Sequence, residues 1–319
     1  MSFASRIADH VLYAQPLAPV ADLRDFLDAR HGFGGWAYRT GVGLGTDCQL
    51  AIHDALDALR ARYGRGRLLI PPTGAFRIAA GIDAAKLSGN LIEGVGSQAS
   101  IVYYDAGSGV LFPFSGAGGY TGGGVKGLGI LLEDGRPTST AGALRLDGDA
   151  SFQPDQSTFE DLYVTAAGSS YWYDILVAFG SERTTPQGIR IVTMKNLQLF
   201  RGRNSGAQFY NCVGWTIENL GTFVGSGGGS DVYISGGGSG PTNTTQMDLR
   251  GLTCSGTLSL SNATKCTIFG QAGAVAAATS FSSSGIGCSN DDGRWRSPPM
   301  RRCEQLLVLE QQRFNDAAL

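Results

Sequence analysis

The sequence predicts an all-β protein, a parallel β-helix (a solenoid) in which short strands stack coil upon coil behind a capping helix. Residues 46–104 contain one amphipathic helix followed only by short strands with glycine between them. A short apolar motif then recurs from Val125 onward, and glycine accounts for 48 of 319 residues, about twice its usual share. Stacking lets each coil bury a face that it cannot bury alone.

Residues 1–42 are predicted to form a helical arm and linker. Two apolar stripes at helical spacing support this prediction, one on each side of Pro16 and Pro19: Phe3, Ile7 and Val11, then Val20, Leu23 and Leu27. Two interpretations stay open, because the arm could dock on another protein or its helices could cap the coil. The glycine-rich segment 32–45, with Trp36 and Tyr38, is a linker or a loop packed on the first coil.

The capping helix is predicted over residues 46–63. Thr46 and Gln49 have the spacing of a capping box, in which the two side chains bind the free N–H groups of the first turn. Gly64 follows Arg60 and Arg62, as a C-terminal glycine and basic last turn do in many helices. The buried face is predicted from its helical spacing: Ile52, Ala55, Leu56 and Leu59.

Short strands are predicted after this helix. Leu68 to Ile70 is too short for a helix and is bounded by Pro71 and Pro72, which cannot continue a strand interior. The next strand-length segments are Phe76 to Ile78, Leu91 to Ile92 and Ile101 to Tyr103. A helix lying over the end of such a stack also protects an open β edge.

A family resemblance rests on this same stretch. The pattern A-I-x-x-A-L from Ala51 to Leu56, followed by GRLLIPPTGAFRI and later by LIEGVGS, resembles the start of the right-handed β-helix of bacteriophage tailspikes and related pectate-lyase-like proteins. The resemblance covers about residues 40–105. His53 stands where that family often has glutamine, and Gly43, Gly45 and Thr46 replace its usual Asp-rich turn. The resemblance implies a right-handed coil and a homotrimer, whereas activity varies widely on one scaffold.

The recurring motif is apolar-x-x-Leu-x-apolar. Its clear copies begin at Val125, Phe159 and Met194, at intervals of 34 and 35 residues, and looser copies begin at Val213, Leu249 and Cys266. An α/β fold would need helices between these strands, but the intervening segments lack helical periodicity. Residues 43–290 are therefore predicted to form the β-helix, and residues 291–319 a C-terminal segment that caps the coil or joins copies of the chain.

The amino-acid composition argues against two classes of binding partner, nucleic acids and membranes. A net charge of −2 predicts no general attraction to nucleic acid or to an anionic membrane surface. Charged residues interrupt the first thirteen positions, and no later run reaches the ~18 apolar residues of a membrane span. We therefore expect synthesis in a bacterial cytoplasm and no membrane insertion.

The cysteines predict burial rather than metal binding. They show neither C-x-x-C spacing nor a nearby histidine, so no zinc site is expected, and nothing in the sequence calls for a cofactor. Free cysteine is commonly buried, which favours a stack of small residues inside the coil for most of the six: Cys48, Cys212, Cys254, Cys266, Cys288 and Cys303.

If the protein is an enzyme, Asp147 and Asp149 are the candidate catalytic pair. Arg145 and Asp147 are the outward positions around Leu146, and Asp149 follows on the same face if the strand continues. Residues i and i+2 of a strand lie ~6.5–7 Å apart, which suits the ~6.5–9.5 Å separation of an inverting glycosidase. The alternative is a solvated strand end. The other carboxylates weighed lack a motif: Glu160, Asp161, Glu182 and Glu218.

An aromatic cluster predicts a glycan-binding surface. Tyr171, Trp172, Tyr173 and Asp174 follow Gly-Ser-Ser and are expected at a coil corner, where a ring must face outward. Tyr163 extends this surface if Leu162 and Val164 point inward. Aromatic rings stack on the C–H faces of sugars, and acids and amides bind sugar hydroxyls. The alternative is that these rings pack under a loop or at a subunit contact, while Trp215 is expected in the core.

Together with the resemblance, these patterns lead to a functional expectation. The chain is expected to be a virion spike or tail fibre of a phage, or of a phage-like particle such as a gene transfer agent. It would bind bacterial capsular polysaccharide for host attachment and join the virion through residues 1–42. Two alternatives are a polysaccharide depolymerase of tailspike type and a secreted plant-polysaccharide lyase.

Overall fold

The computed structural model describes residues 19–38, 45–72, 74–105, 109–114, 121–132, 142–147, 155–166, 172–179, 192–200, 202–210, 212–223, 231–235, 246–261, 267–277 and 285–287. These residues form three helices, α1 (Leu23–His31), α2 (Gln49–Tyr63) and α3 (Ala84–Leu87). They also form the strands β1 (Val20–Asp22), β2 (Arg67–Ile70), β3 (Ala75–Ile78), β4 (Leu91–Gly94), β5 (Ile101–Tyr104), β6 (Val110–Phe114), β7 (Thr121–Lys126), β8 (Gly129–Leu132), β9 (Gly142–Asp147), β10 (Asp155–Ala166), β11 (Trp172–Phe179), β12 (Val192–Phe200), β13 (Gly202–Tyr210), β14 (Val213–Phe223), β15 (Val232–Ser235), β16 (Gln246–Ser261), β17 (Thr267–Ala277) and β18 (Gly285–Gly287).

The strands form three parallel sheets. All strand pairs are parallel, and each joins strands of neighbouring coils. Sheet A contains β1, β2, β4, β7, the first parts of β10, β12, β14, β16 and β17, and β18. Sheet B contains β3, β5, β8 and the following parts of β10, β12, β14, β16 and β17. Sheet C contains β6, β9, β11, β13, β15 and the last parts of β16 and β17. The protein is a parallel β-helix, as predicted.

The chain bends from sheet A to sheet B at residues in the left-handed region. Asp161, Asn196 and Asn219 have φ angles of 53°, 54° and 56°, and Gly127 and Gly251 at the equivalent bends have 65° and 70°. Glycine adopts this region freely and Asn or Asp do so more readily than other residues. Each bend therefore carries a residue suited to it.

The core is built from inward columns that run along the coil axis. On sheet A the pairing register aligns apolar residues from coil to coil, all of them nearly inaccessible: Leu68, Ile92, Val125, Phe159, Met194, Ile217, Leu249 and Ile268. The motif copies beginning at Val125, Phe159 and Met194 are confirmed as successive coils.

The fourth motif copy was predicted to begin at Val213, and this register is wrong. Met194 pairs with Ile217, and Leu197 pairs with Leu220, so the copy begins at Ile217. A register irregularity separates Val213 from Trp215, and the chain closes the preceding coil with shorter corners than its neighbours have. Trp215 is buried in the core, as predicted.

The capping helix begins at Gln49, and the predicted capping box is wrong. The N-cap residue is Cys48, without a side-chain cap. The Thr46 hydroxyl instead accepts a hydrogen bond from the Ala37 N–H at 3.0 Å, and the Gln49 amide donates to the Gly81 carbonyl at 2.8 Å. Both side chains thus bind other segments, while the predicted buried face and the left-handed Gly64 end are confirmed.

The described part of the predicted arm packs on the first coil. Val20 belongs to strand β1, which pairs with β2, rather than to a helix. Leu23 and Leu27 of α1 are fully buried. Trp36 and Tyr38 contact Phe76 of the first coil, with ring centroids 6.2 and 5.0 Å away. This packing agrees with the interpretation that the segment caps the coil. Docking of the arm on another protein stays a prediction. Residues 1–18 and 291–319 lie outside the described residues.

Cysteine burial, membrane crossing and metal binding can be described only for the described part of the chain. Cys48, Cys212 and Cys254 are buried, as expected, and carry free thiols, whereas Cys266, Cys288 and Cys303 lie outside the described side chains. Within the described ranges, no helix has both the length and the apolar character that crossing a membrane requires. The described His, Cys, Asp and Glu side chains form no group of three or more suited to a metal ion.

Candidate functional site

The outward face of sheet A carries charges that alternate in sign. Strand register aligns one residue from each successive coil: Glu93, Lys126, Glu160, Lys195, Glu218 and Arg250. We call these six residues the charge ladder. Lys126 Nζ lies 2.9 Å from Glu160 Oε2, and Lys195 Nζ lies 3.8 Å from Glu218 Oε2. The hydrogen bond with Glu160 raises the pKa of Lys126.

The charge ladder explains the role of carboxylates for which the sequence showed no catalytic motif. Glu160 and Glu218 each face a lysine of a neighbouring coil. Asp161 occupies a bend, where its Oδ1 accepts a hydrogen bond from the Asn196 amide at 2.7 Å. Glu182 lies outside the described residues. Sheet A therefore neutralises its own charges, and we place the candidate site elsewhere.

Sheet B presents an aromatic row on its outward face. Leu162 and Val164 are buried, so Tyr163 between them points outward. Its ring centroid lies 5.2 Å from that of Phe200, and Phe200 stacks on Phe223 at 4.7 Å with 5° between the planes. The three rings are half-buried, and we call Tyr163, Phe200 and Phe223 the aromatic row.

Polar groups lie beside the aromatic row. Gln198 pairs with Tyr163 in one direction and with Gly221 in the other. A Cβ atom on Gly221 would come within 2.3 Å of Gln198 Oε1, so the amide lies across a space that only glycine leaves open. Thr165 lies on the same outward face and is half-buried. Rings, an amide and hydroxyl groups thus share one surface.

The chain turns quickly beside this row. Residue 201 alone separates Phe200, the end of β12, from Gly202, the start of β13. The equivalent connections of the neighbouring coils take residues 167–171 and 224–231. The corner next to Phe200 is therefore the shortest of the three, and it adds the least chain beside the row.

Sheet C carries a second group of outward polar side chains. The Tyr210 hydroxyl donates a hydrogen bond to Gln208 Oε1 at 2.7 Å, and the Tyr210 and Tyr233 rings lie 5.4 Å apart at 54°. On β9, Leu144 and Leu146 are buried and Arg145 is half-buried. Arg145 thus occupies an outward position, as predicted.

The predicted site residues fall on two sheets. Tyr163 lies on sheet B, whereas Trp172, Tyr173 and Asp174 begin strand β11 of sheet C, and their side chains lie outside the described part of the chain. Asp147 ends β9 in register with Phe179, again without a described side chain, and Tyr171 and Asp149 lie outside the described residues. The catalytic role of the aspartates and the glycan-binding role of the cluster stay predictions.

Phe200 and Phe223 were missed by the sequence reasoning. Each follows the last position of a motif copy, Leu199 and Thr222 respectively, and those positions point into the coil. The next residue of a strand must then point outward. For Phe200 this signal was present in the sequence; for Phe223 it was hidden by the wrong register of the fourth copy.

Comparison with known proteins yields distant matches only. No protein-family model matches the chain, and no curated protein matches it.

Two solved structures are similar over most of its length. The A-module of the mannuronan C-5 epimerase AlgE6 from Azotobacter vinelandii has 12% identity and a TM-score of 0.28, covering 84% of this chain and 92% of that one. ORF18 of Geobacillus virus E2 has 11% identity and a TM-score of 0.27, covering 89% of this chain and 64% of that one. Similarity at this level carries no argument about function.

Proposed function

We propose that the chain is a spike or tail fibre protein of a phage or phage-like particle, such as a gene transfer agent, that binds bacterial surface polysaccharide for host attachment. The observation that carries the proposal is the aromatic row on the outward face of sheet B. Half-buried rings with polar neighbours are a common feature of binding surfaces. A row of them along a solenoid suits a long ligand.

The geometry of the coil supports a polymer as that ligand. Successive coils repeat at the strand spacing of about 4.8 Å, and the aromatic row runs from coil to coil along the axis. Stacked repeats give solenoids the extended surfaces on which they bind elongated partners. A polysaccharide, itself a linear repeat, can contact several coils of such a surface at once.

Attachment to the particle and assembly complete the proposal. Strand β1 pairs with the first coil and so lies at the N-terminal end of the stack. Attachment to a virion protein through residues 1–42 would leave sheet B available along the coil. The homotrimer is part of the proposal and rests on the resemblance of residues 40–105.

Cell binding tests the first half of this proposal. The fluorescently labelled full chain is incubated with capsulated bacteria and with isogenic capsule-deficient strains, and bound protein is measured by flow cytometry. We expect binding to capsulated cells of susceptible strains and its loss when the capsule is removed. Equal binding to both kinds of cell, across all strains tested, contradicts the proposal.

Glycan length tests attachment against cleavage. Purified capsular polysaccharide of a strain that binds the protein is incubated with it, and new reducing ends and unsaturated products are measured. We expect sustained binding without shortening. Shortening that Asp147→Asn abolishes, and that Glu160→Gln on sheet A leaves unchanged, would instead identify a depolymerase with Asp147 at its catalytic centre.

A further inference from the structure

We infer that the aromatic row takes an uncharged stretch of glycan, made of neutral hexose or N-acetylhexosamine units, rather than a polyuronate or another acidic polymer. This inference rests on the proposed function and adds the chemical class of the ligand. It follows from the distribution of charge between sheets A and B.

Within strands β5, β8, β10, β12, β14 and β16, the described outward positions of sheet B are uncharged. The pairing register and the alternation of burial identify these positions: Ile101, Tyr103, Gly129, Leu131, Tyr163, Thr165, Gln198, Phe200, Gly221, Phe223, Thr253 and Ser255. On the first coil Arg77 is paired with the buried Asp105, with Nε 2.6 Å from Oδ2. That arginine is therefore already engaged.

Among these described positions, an acidic glycan would meet no cation except Arg77, which is already paired with Asp105. Carboxylates and sulfates are bound in proteins through Arg and Lys, with Arg providing two parallel hydrogen bonds. Placing an anion against half-buried aromatic rings without such a partner costs free energy, because the anion loses bound water and gains no positively charged group in its place. The chain does place lysines in register, Lys126 and Lys195, but on sheet A and beside Glu160 and Glu218.

The polar groups that sheet B does offer match uncharged sugars. The Gln198 amide both donates and accepts hydrogen bonds, as do the hydroxyl groups of Tyr163 and Thr165. Sugar hydroxyls and acetamido groups also do both, so each can be satisfied here without an ion. The rings supply contact with the C–H faces of the same sugars.

The alternative occupant of this face is a second copy of the chain. Thr165 interrupts the apolar column between Leu131 and Phe200, and Gln198 lies between Tyr163 and Gly221 in the neighbouring column. On the next coil Thr253 and Ser255 are exposed. This mixture of ring and hydroxyl groups favours a ligand with alternating apolar and polar faces. The oligomeric state of the variants below separates the two occupants.

A glycan array tests the inference. The full chain is applied to immobilised capsular and O-antigen polysaccharides, neutral and acidic, between roughly 0.05 and 0.5 M salt. We expect binding to neutral glycans with an affinity that salt changes by less than about twofold, because exposed charges are what salt screens. Binding restricted to acidic glycans, weakening as salt rises and lost when their carboxyl groups are reduced to alcohols, overturns the inference but keeps the proposed function. Binding to no glycan contradicts the proposed function itself.

Matched variants on one strand assign the binding to the aromatic row. Phe200→Ala should weaken neutral-glycan binding roughly three- to tenfold, the effect of losing one aromatic contact. Lys195→Ala, on the sheet A part of the same strand, should leave it unchanged, and Phe200→Leu should weaken it while keeping an apolar side chain. Sedimentation velocity is measured for each variant. Unchanged glycan binding with an altered oligomeric state in Phe200→Ala assigns the face to a second copy and overturns the inference.

Discussion

At the scale of single residues, the bends between sheets A and B show how side chains offset backbone strain. The left-handed region costs an ordinary L-residue roughly 1–2 kcal/mol. At the bends, the Asn219 amide donates to Asn196 Oδ1 at 2.9 Å, and the Asn196 amide donates to Asp161 Oδ1 at 2.7 Å. Each hydrogen bond joins neighbouring coils, so these bends also hold the stack together.

Substitution of Asn196 separates the contribution of these hydrogen bonds from the contribution of backbone strain. Asn196→Gly removes both hydrogen bonds but keeps a residue that tolerates a φ angle of 54°, whereas Asn196→Ala also restores the steric cost. We expect both variants to lower the free energy of unfolding and alanine to lower it by about 1 kcal/mol more. Urea unfolding followed by circular dichroism measures the difference. If alanine is as stable as glycine, backbone strain is not what selects this residue.

At the scale of elements, the capping helix is held to the segment between β3 and β4 by a small polar cluster. His53 Nε2 on α2 accepts a hydrogen bond from the Asp83 N–H at 3.1 Å, and Asp83 in turn caps α3 through Ala85 N at 2.9 Å. Lys86 on α3 forms an ion pair with Asp57 on α2. Burial lowers the pKa of His53, and the nearby charge of Lys86 lowers it further.

This cluster predicts a stability that depends on pH. Because the pKa of His53 is lower in the folded chain than its usual value of about 6.5, the unfolded chain binds the proton more tightly. The stabilisation is therefore complete above about pH 6.5 and is lost as the pH falls through the lower, folded value. Protonated His53 also has no lone pair on Nε2 for the Asp83 N–H.

His53→Gln should flatten this pH dependence. Glutamine can accept the same hydrogen bond and does not titrate. We expect thermal midpoints of the two proteins to differ less at pH 7.5 than at pH 5, with the glutamine variant retaining more of its stability in acid. Identical pH profiles would show that another group governs the acid limb. His31→Gln on α1 is the control, since His31 lies on another element and is exposed.

Elements were predicted well where the signal is local. The buried face of α2 and the strands from Arg67 to Tyr104 follow from periodicity within a few residues. The capping box failed because Thr46 and Gln49 bind Ala37 and Gly81, partners far along the chain. Val20 was assigned to a helix by its spacing from Leu23, but pairing with Arg67 makes it part of a strand. Tertiary contacts overrode local pattern in both cases.

At the scale of the whole molecule, the register between coils was the least predictable feature. Intervals between paired motif positions change with the corner connections, and Met194 pairs with Ile217 rather than with a residue about 34 positions away. The aromatic row depends on that register, since Phe200 and Phe223 meet only because their strands align. The outward positions of Tyr163 and Phe200 could be predicted from the motif, but that of Phe223, and its contact with Phe200, could not.

The charge ladder predicts how the stack responds to a reversed charge. Lys195 lies between Glu160 and Glu218 in the register of sheet A. Unit charges at a spacing of about 4.8 Å interact by about 1 kcal/mol in water. Lys195→Glu should therefore lower the free energy of unfolding by about 1–2 kcal/mol more than Lys195→Gln at low salt.

Salt provides the control for this comparison. The difference between the glutamate and glutamine variants should shrink in about 1 M salt, where the screening length is only about 3 Å. A difference that salt leaves unchanged would point to packing or strand propensity, because neither of these is screened. Urea unfolding at both salt concentrations measures it.

The alternating charges also restrict how the coils can be ordered during folding. Burial of apolar residues alone would let a strand pair with more than one coil, because Val125, Phe159 and Met194 are all apolar and all buried. If a folding chain omitted one coil, Glu93 would come to lie beside Glu160, or Lys126 beside Lys195, and each junction would bring like charges together. Consecutive coils give opposite signs at every step, whereas the omission of any single coil gives like signs at the junction. The charge ladder thus disfavours a stack from which one coil has been left out, even where the apolar residues of its interior would still pack together.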